Sequence, residues 1–109
     1  MKLIKCIVRT DQVADAAEAL EDLGVTGVTV TEVRGRGLRT RPTATYRGAT
    51  YDEFLSMSMI DVIAEDDLVS DIVRVVLDHA RTGRFGDGRV IVLPVEESYS
   101  IRTRQALFA

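Results

Sequence analysis

No acidic residue falls between Glu32 and Asp52, yet Arg34, Arg36, Arg39, Arg41 and Arg47 all do. Residues 34–51 also carry three glycines, a proline and several threonines, with no sustained apolar period. Such a stretch builds no core, so the fold has to come from the segments on either side of it. Loops of that length are uncommon in compact domains and tend to carry function.

Each flank has its own pattern. Residues 3–8 are a short apolar run rich in β-branched side chains, which predicts a buried strand. Thr10 and Asp11 are N-cap candidates for a helix whose apolar face is Val13, Ala16, Ala17, Leu20 and Leu23, stopped by Gly24. Residues 28–33 alternate, the period of a half-buried strand. After the loop, order returns near Phe54 or Leu55, and Met57, Met59, Ile60, Val62 and Ile63 predict a third strand. Asp66 and Asp67 are expected to cap a second helix with the face Leu68, Ile72, Val75, Val76 and Ala80, ended by Gly83. Residues 89–95 predict a fourth strand. The order βαβ–loop–βαβ predicts an α+β, ferredoxin-like fold: βαββαβ, an antiparallel sheet with two helices on one face.

A chain of 109 residues fits one domain, 1–109. So short a chain buries only about two thirds of its unfolded surface, and oligomerisation is one way to gain more. The net charge of −3 supplies no global basic field, and no nucleic-acid-binding pattern is present, so no nucleic acid partner is expected. No apolar run approaches the roughly 20 residues that span a bilayer, so the chain is not expected to be membrane-inserted. Residues 1–8 are too short for the apolar core of a secretory signal. Cys6 is the single cysteine, which fits a reducing cytoplasm.

Three stretches carry chemistry. The arginines of the loop concentrate positive potential while the rest of the chain holds the negative excess. Arginine forks match phosphate or carboxylate, so the arm either docks on an acidic partner surface, closes over an anion, or is simply a charged, solvated loop. Residues 82–89 read Thr82-Gly83-Arg84-Phe85-Gly86-Asp87-Gly88-Arg89. Three glycines there let backbone N–H groups approach an anion, with Arg84 and Arg89 flanking; the alternative is a plain glycine-rich turn. It is not a Walker A loop, because the Gly-Lys-Ser/Thr ending is missing. Finally, Arg102 and Arg104 share a side if residues 101–104 are extended.

These stretches resemble the PII signal-transduction family. Residues 29–37, TVTEVRGRG, are similar to the family run TVTEVKGFG. Residues 46–51, YRGATY, are similar to YRGAEY of its T-loop. Residues 82–89 are similar to TGKIGDGK, its B-loop, and residues 101–103 to IRTG of its C-loop. All four occur in family order. The resemblance implies a T-loop of about 36–54 between strands 2 and 3, a B-loop of about 82–89 and a C-loop of about 98–109. It implies a homotrimeric assembly with an adenine nucleotide (ADP, AMP or ATP) in each cleft between subunits. The T-loop would dock on a target protein, for example a membrane transporter or an enzyme. Carried over by position, Gly35 and Gly37 lie at the T-loop base beside the nucleotide, with Leu38 and Arg39 following. Thr82, Gly86, Asp87, Gly88 and Arg89 belong to the phosphate-holding B-loop, Arg102 reaches phosphate from the C-loop, and Ile7, Thr29, Asp61 and Ile63 surround adenine and ribose. Tyr51 matches a tyrosine that is nucleotidylylated in some members.

The departures shape the expected ligand. Leu38-Arg39 stand where the family has Arg-Gln, and that glutamine helps hold the magnesium carrying 2-oxoglutarate. An arginine ligates no cation, so Mg2+ is not expected. The family lysine that pairs with 2-oxoglutarate has no counterpart in Leu55-Ser56-Met57-Ser58. Ser100 replaces the first C-loop arginine, Arg89 a lysine and Asp61 a glutamate, and the loop is one residue shorter after Tyr51. The expectation is therefore a regulatory sensor of adenine-nucleotide state, with a small anion such as bicarbonate rather than 2-oxoglutarate. The alternatives are a conventional nitrogen-regulatory PII sensing ATP and 2-oxoglutarate, a nucleotide-using enzyme on the same scaffold, and a structural trimer similar in fold to the CutA proteins. No His/Cys/carboxylate cluster has metal-site spacing, and no catalytic base is visible, so an enzyme is not expected. His79 reads as a packed or boundary histidine, and Met57 and Met59 as core-side strand residues.

Overall fold

The computed structural model describes residues 1–36, 43–46, 49–52 and 54–107, the stretches 43–46 and 49–52 by backbone alone. Among the described residues, these strands and α-helices follow in chain order: β1 Lys2–Arg9, α1 Val13–Asp22, β2 Thr29–Gly35, β3 Thr43–Tyr46, β4 Ala49–Asp52, β5 Leu55–Ala64, α2 Val69–Ala80 and β6 Gly88–Pro94. Four of the strands form one antiparallel sheet in the order β2-β5-β1-β6. With both helices on one side, this is the ferredoxin-like α+β fold the pattern predicts.

Strand alternation decides what each face carries. Ile4, Cys6 and Val8 of β1 and Ile60, Val62 and Ala64 of β5 pack under Ala16, Leu20, Ile72, Val76 and Ala80 of the helices. The opposite residues face away from the helices. Register puts Leu3 beside Ile63 and Leu93, Lys5 beside Asp61 and Ile91, and Ile7 beside Met59 and Arg89. Among the described residues no helix covers this second face. Cys6 sits at 0% exposure, and burial, with a smaller push from Asp61, raises its thiol to about 11. It is the inert strand residue its position predicts.

Several local expectations need correcting. Thr10 and Asp66 are not side-chain caps. Each lies in a 3-10 turn leading into its helix, and neither helix has a side-chain cap bond. The Thr10 hydroxyl instead pairs with those of Ser56 and Ser58, each at 3.1 Å, and Asp66 takes the Met1 ammonium at 2.7 Å. Leu68 and His79 are exposed rather than packed, so the buried stripe of α2 is Ile72, Val76 and Ala80. The second helix ends at Ala80 with Arg81 already extended, which leaves Gly83 to the following turn. Met57 is buried and Met59 half-buried, but both lie on the face away from the helices. The third strand predicted, β5, does start at Leu55, where order is expected to return.

The long connection between β2 and β5 is not featureless. β3 and β4 pair as an antiparallel ribbon, with Thr43 opposite Asp52 and Tyr46 opposite Ala49. The C-terminal stretch is not extended at Arg102 and Arg104. Residues 101–103 turn, Arg104 takes a positive φ of 62° and its N–H donates to the Ser100 carbonyl at 2.8 Å.

Candidate functional site

Residues 82–89 form a tight turn because three of them leave the region open to most side chains. Gly83, Gly86 and Gly88 have φ of 83°, 88° and 100°. At Gly88 space forbids a side chain as well: a Cβ there would lie 1.8 Å from the Ile7 carbonyl oxygen. The turn is thereby pressed onto the end of β1.

Asp87 ties the turn to itself. One oxygen accepts the Thr82 and Gly83 amides, both at 2.8 Å. The other accepts the Thr82 hydroxyl and the Arg9 Nε–H, the latter at 3.1 Å. These donors, the Thr82 hydroxyl foremost, hold the Asp87 carboxyl well below the usual carboxylate range. Arg9 also donates from Nη2 to the Phe85 carbonyl at 2.6 Å. Arg84 and Arg89 make no ion pair among the described residues.

Next to this turn opens a cleft of about 750 Å³. Ile7 and Met59 floor it, the turn forms one wall, and Arg34, Gly35 and Arg36 at the end of β2 form another. Four arginines, Arg34, Arg36, Arg84 and Arg89, are among the residues that line it. Phe54 stands where the loop re-enters the sheet. Arg34 and Arg36 both stack on its ring, each 5.6 Å from the centroid. A glycine turn with arginines on both sides suits a polyanion, because guanidinium forks and close backbone N–H groups both favour phosphate.

The predicted residues divide between two places. Ile7, Gly35, Gly86, Asp87, Gly88 and Arg89 meet in this cleft, and Thr82 adjoins it through Asp87. Thr29, Asp61 and Ile63 line a second hollow of about 530 Å³ further along the same sheet face, bordered by Ser98 and Leu107. Arg102 lies in the exposed C-terminal turn and lines neither hollow. Gly37, Leu38 and Arg39 lie outside the described residues. Tyr51 pairs with Ala44 in the ribbon, and its side chain lies outside the described part.

Two residues escaped the sequence reading. Arg9 is one. The other is Lys5, whose Nζ donates to both Asp61 oxygens at 3.0 and 3.2 Å. Asp61 is thus ion-paired within its own chain. A single sequence gives no signal for either pairing. Among the described residues no cluster of three His, Cys, Asp or Glu could hold a metal, and no helix is long and apolar enough to cross a membrane.

A family model described as Nitrogen regulatory protein P-II matches residues 1–105. Curated relatives agree. The chain is 42% identical over 104 residues to the nitrogen regulatory protein P-II of Azospirillum brasilense and 38% identical to that of Haemophilus influenzae. It is 40% identical to nitrogen regulatory protein P-II 1 of Escherichia coli K12. Each alignment covers 94% of this chain and 93% of the relative. With the ferredoxin-like sheet, the glycine turn and the arginine-lined cleft in place, the chain belongs to the nitrogen regulatory protein P-II family.

Proposed function

We propose that this chain is a PII-type regulatory sensor, a binding module rather than an enzyme, which takes an adenine nucleotide and reports its state to a target protein through the long loop. One observation carries the reading: the glycine turn and four arginines converge on a single cleft at the base of that loop. Ligand phosphates would lie against Gly86, Gly88, Arg84 and Arg89. A ligand there would also touch Arg34 and Arg36, through which its presence would bias the loop.

The second hollow suggests how the site is completed. Thr29, Asp61 and Ile63 line no part of the cleft of their own chain. In a homotrimer with sheets turned inward, they would instead face the cleft of a neighbouring copy, enclosing adenine and ribose. A reducing cytoplasm is the matching compartment, since Cys6 is free and buried.

The name of the relatives favours a second reading, a conventional nitrogen-regulatory sensor of ATP and 2-oxoglutarate. Leu38-Arg39 and the absence of a lysine in residues 55–58 weigh against it and leave room for a small anion such as bicarbonate. Titration calorimetry with ATP, ADP and AMP, each with and without 2-oxoglutarate and bicarbonate, separates the readings. Micromolar binding of at least one nucleotide, unaffected by 2-oxoglutarate, is expected. No heat from any nucleotide at millimolar concentration overturns the proposal, and a gain with 2-oxoglutarate restores the conventional sensor.

A further inference from the structure

A turn with three glycines at positive φ is intrinsically loose, because glycine has the widest choice of conformations when nothing restrains it. Phosphate recognition needs the opposite: donors fixed before the ligand arrives, so that little ordering cost falls on binding. The turn does contain its own restraint. The Asp87 carboxylate accepts from Thr82 N–H, Gly83 N–H, the Thr82 hydroxyl and Arg9. A carboxylate accepts about four hydrogen bonds, so Asp87 has no capacity left for a ligand or a cation. An uncompensated carboxylate would also repel phosphate.

Arg9 supplies the compensation from outside the turn. It stands at the end of β1, its side chain only 15% exposed. Nε binds Asp87 and Nη2 binds the Phe85 carbonyl, so one guanidinium clamps the turn at two points while cancelling the only negative charge in it. Its Nη2 also packs beside Gly86, 3.5 Å from where a Cβ would stand. We infer that Arg9, acting through Asp87, is a positioning residue that presets the glycine turn for phosphate and leaves Arg84 and Arg89 to meet the ligand.

This inference rests on the nucleotide reading above, and its test separates the two. AMP and ATP are titrated calorimetrically into the unaltered chain, Arg9→Ala and Arg9→Lys. Loosening the turn penalises each phosphate seated in it, so Arg9→Ala is expected to weaken ATP about tenfold and AMP less than threefold. Lysine restores the charge but not the two-pronged clamp, so Arg9→Lys is expected to recover part of the ATP loss. Equal losses for both nucleotides, or none, overturn the inference and leave the nucleotide reading intact. Should Arg9→Ala fail to fold, the ratio of ATP to AMP affinity in Arg9→Lys decides alone, with an unchanged ratio overturning it. An unaltered chain that binds neither nucleotide removes the nucleotide reading and this inference with it.

Discussion

Four donors converge on the Asp87 carboxylate, and that convergence makes the glycine turn sensitive to acid. An unfolded aspartate titrates near about 3.9, and folded Asp87 titrates well below that. Stability from the carboxylate is therefore fully present above the unfolded value and is lost as pH falls toward the folded one. Asp87→Asn is expected to melt below the unaltered chain at pH 7, with the gap narrowing between pH 4 and pH 2.5. Thermal unfolding across that range checks it, and a gap that stays constant counts against the carboxylate's role. At this scale much was readable from the chain. The glycines of residues 82–89 are punctuation that few other turns need. Arg9 and Lys5 were not readable, because their partners lie 78 and 56 positions away and nothing local marks such a pairing.

Elements with one face on the core declare themselves, since burial forces their period. β1, β5 and both helices do so, whereas β6 adds only the half-buried Val90 and β2 no residue to that core. The ribbon β3–β4 pairs only with itself, so no apolar period is imposed on it. Its alternating Thr43-Ala44-Thr45-Tyr46 is a weak signal inside a glycine- and arginine-rich stretch. The expected caps failed for a related reason: a 3-10 turn occupied the capping positions, and propensity alone does not exclude that. Where the loop meets the sheet, Phe54 joins the two legs, stacked by Arg34 of β2 and Arg36 just beyond it. Exposed cation–π contacts contribute about 0.5–1 kcal/mol each. Phe54→Ala is expected to cost about 1 kcal/mol of local opening, seen as roughly fivefold faster amide exchange at residues 34–36 and 55–56. Phe54→Leu, apolar but without a ring face, should behave nearly as Ala. Exchange unchanged in both variants would mean the stack does not hold the legs together.

At the scale of the molecule, among the described residues the sheet is covered by helices on one side only. Leu3, Ile7, Met59, Ile63, Ile91 and Leu93 share the other side, with Ile63 and Leu93 each 40% exposed. Exposed apolar side chains grouped on one sheet face are the kind of surface on which an interface between copies is expected. The two hollows lie on this same face, so a closed ring of three copies would cover it and complete the sites together. Leu93 tests the idea without touching a predicted ligand residue. It is exposed in the single chain, so Leu93→Glu is expected to change the stability of one copy by no more than about 0.5 kcal/mol. In a trimer the substitution removes an apolar side chain three times over. At about 1.5 kcal/mol each, that is on the order of a thousandfold in the assembly constant, before the added charge is counted. Light scattering should therefore show the unaltered chain at three times its 12.0 kDa mass and Leu93→Glu shifted toward one, with unchanged circular dichroism. A monomeric unaltered chain at high micromolar concentration would defeat the assembly and, with it, a nucleotide site shared between copies.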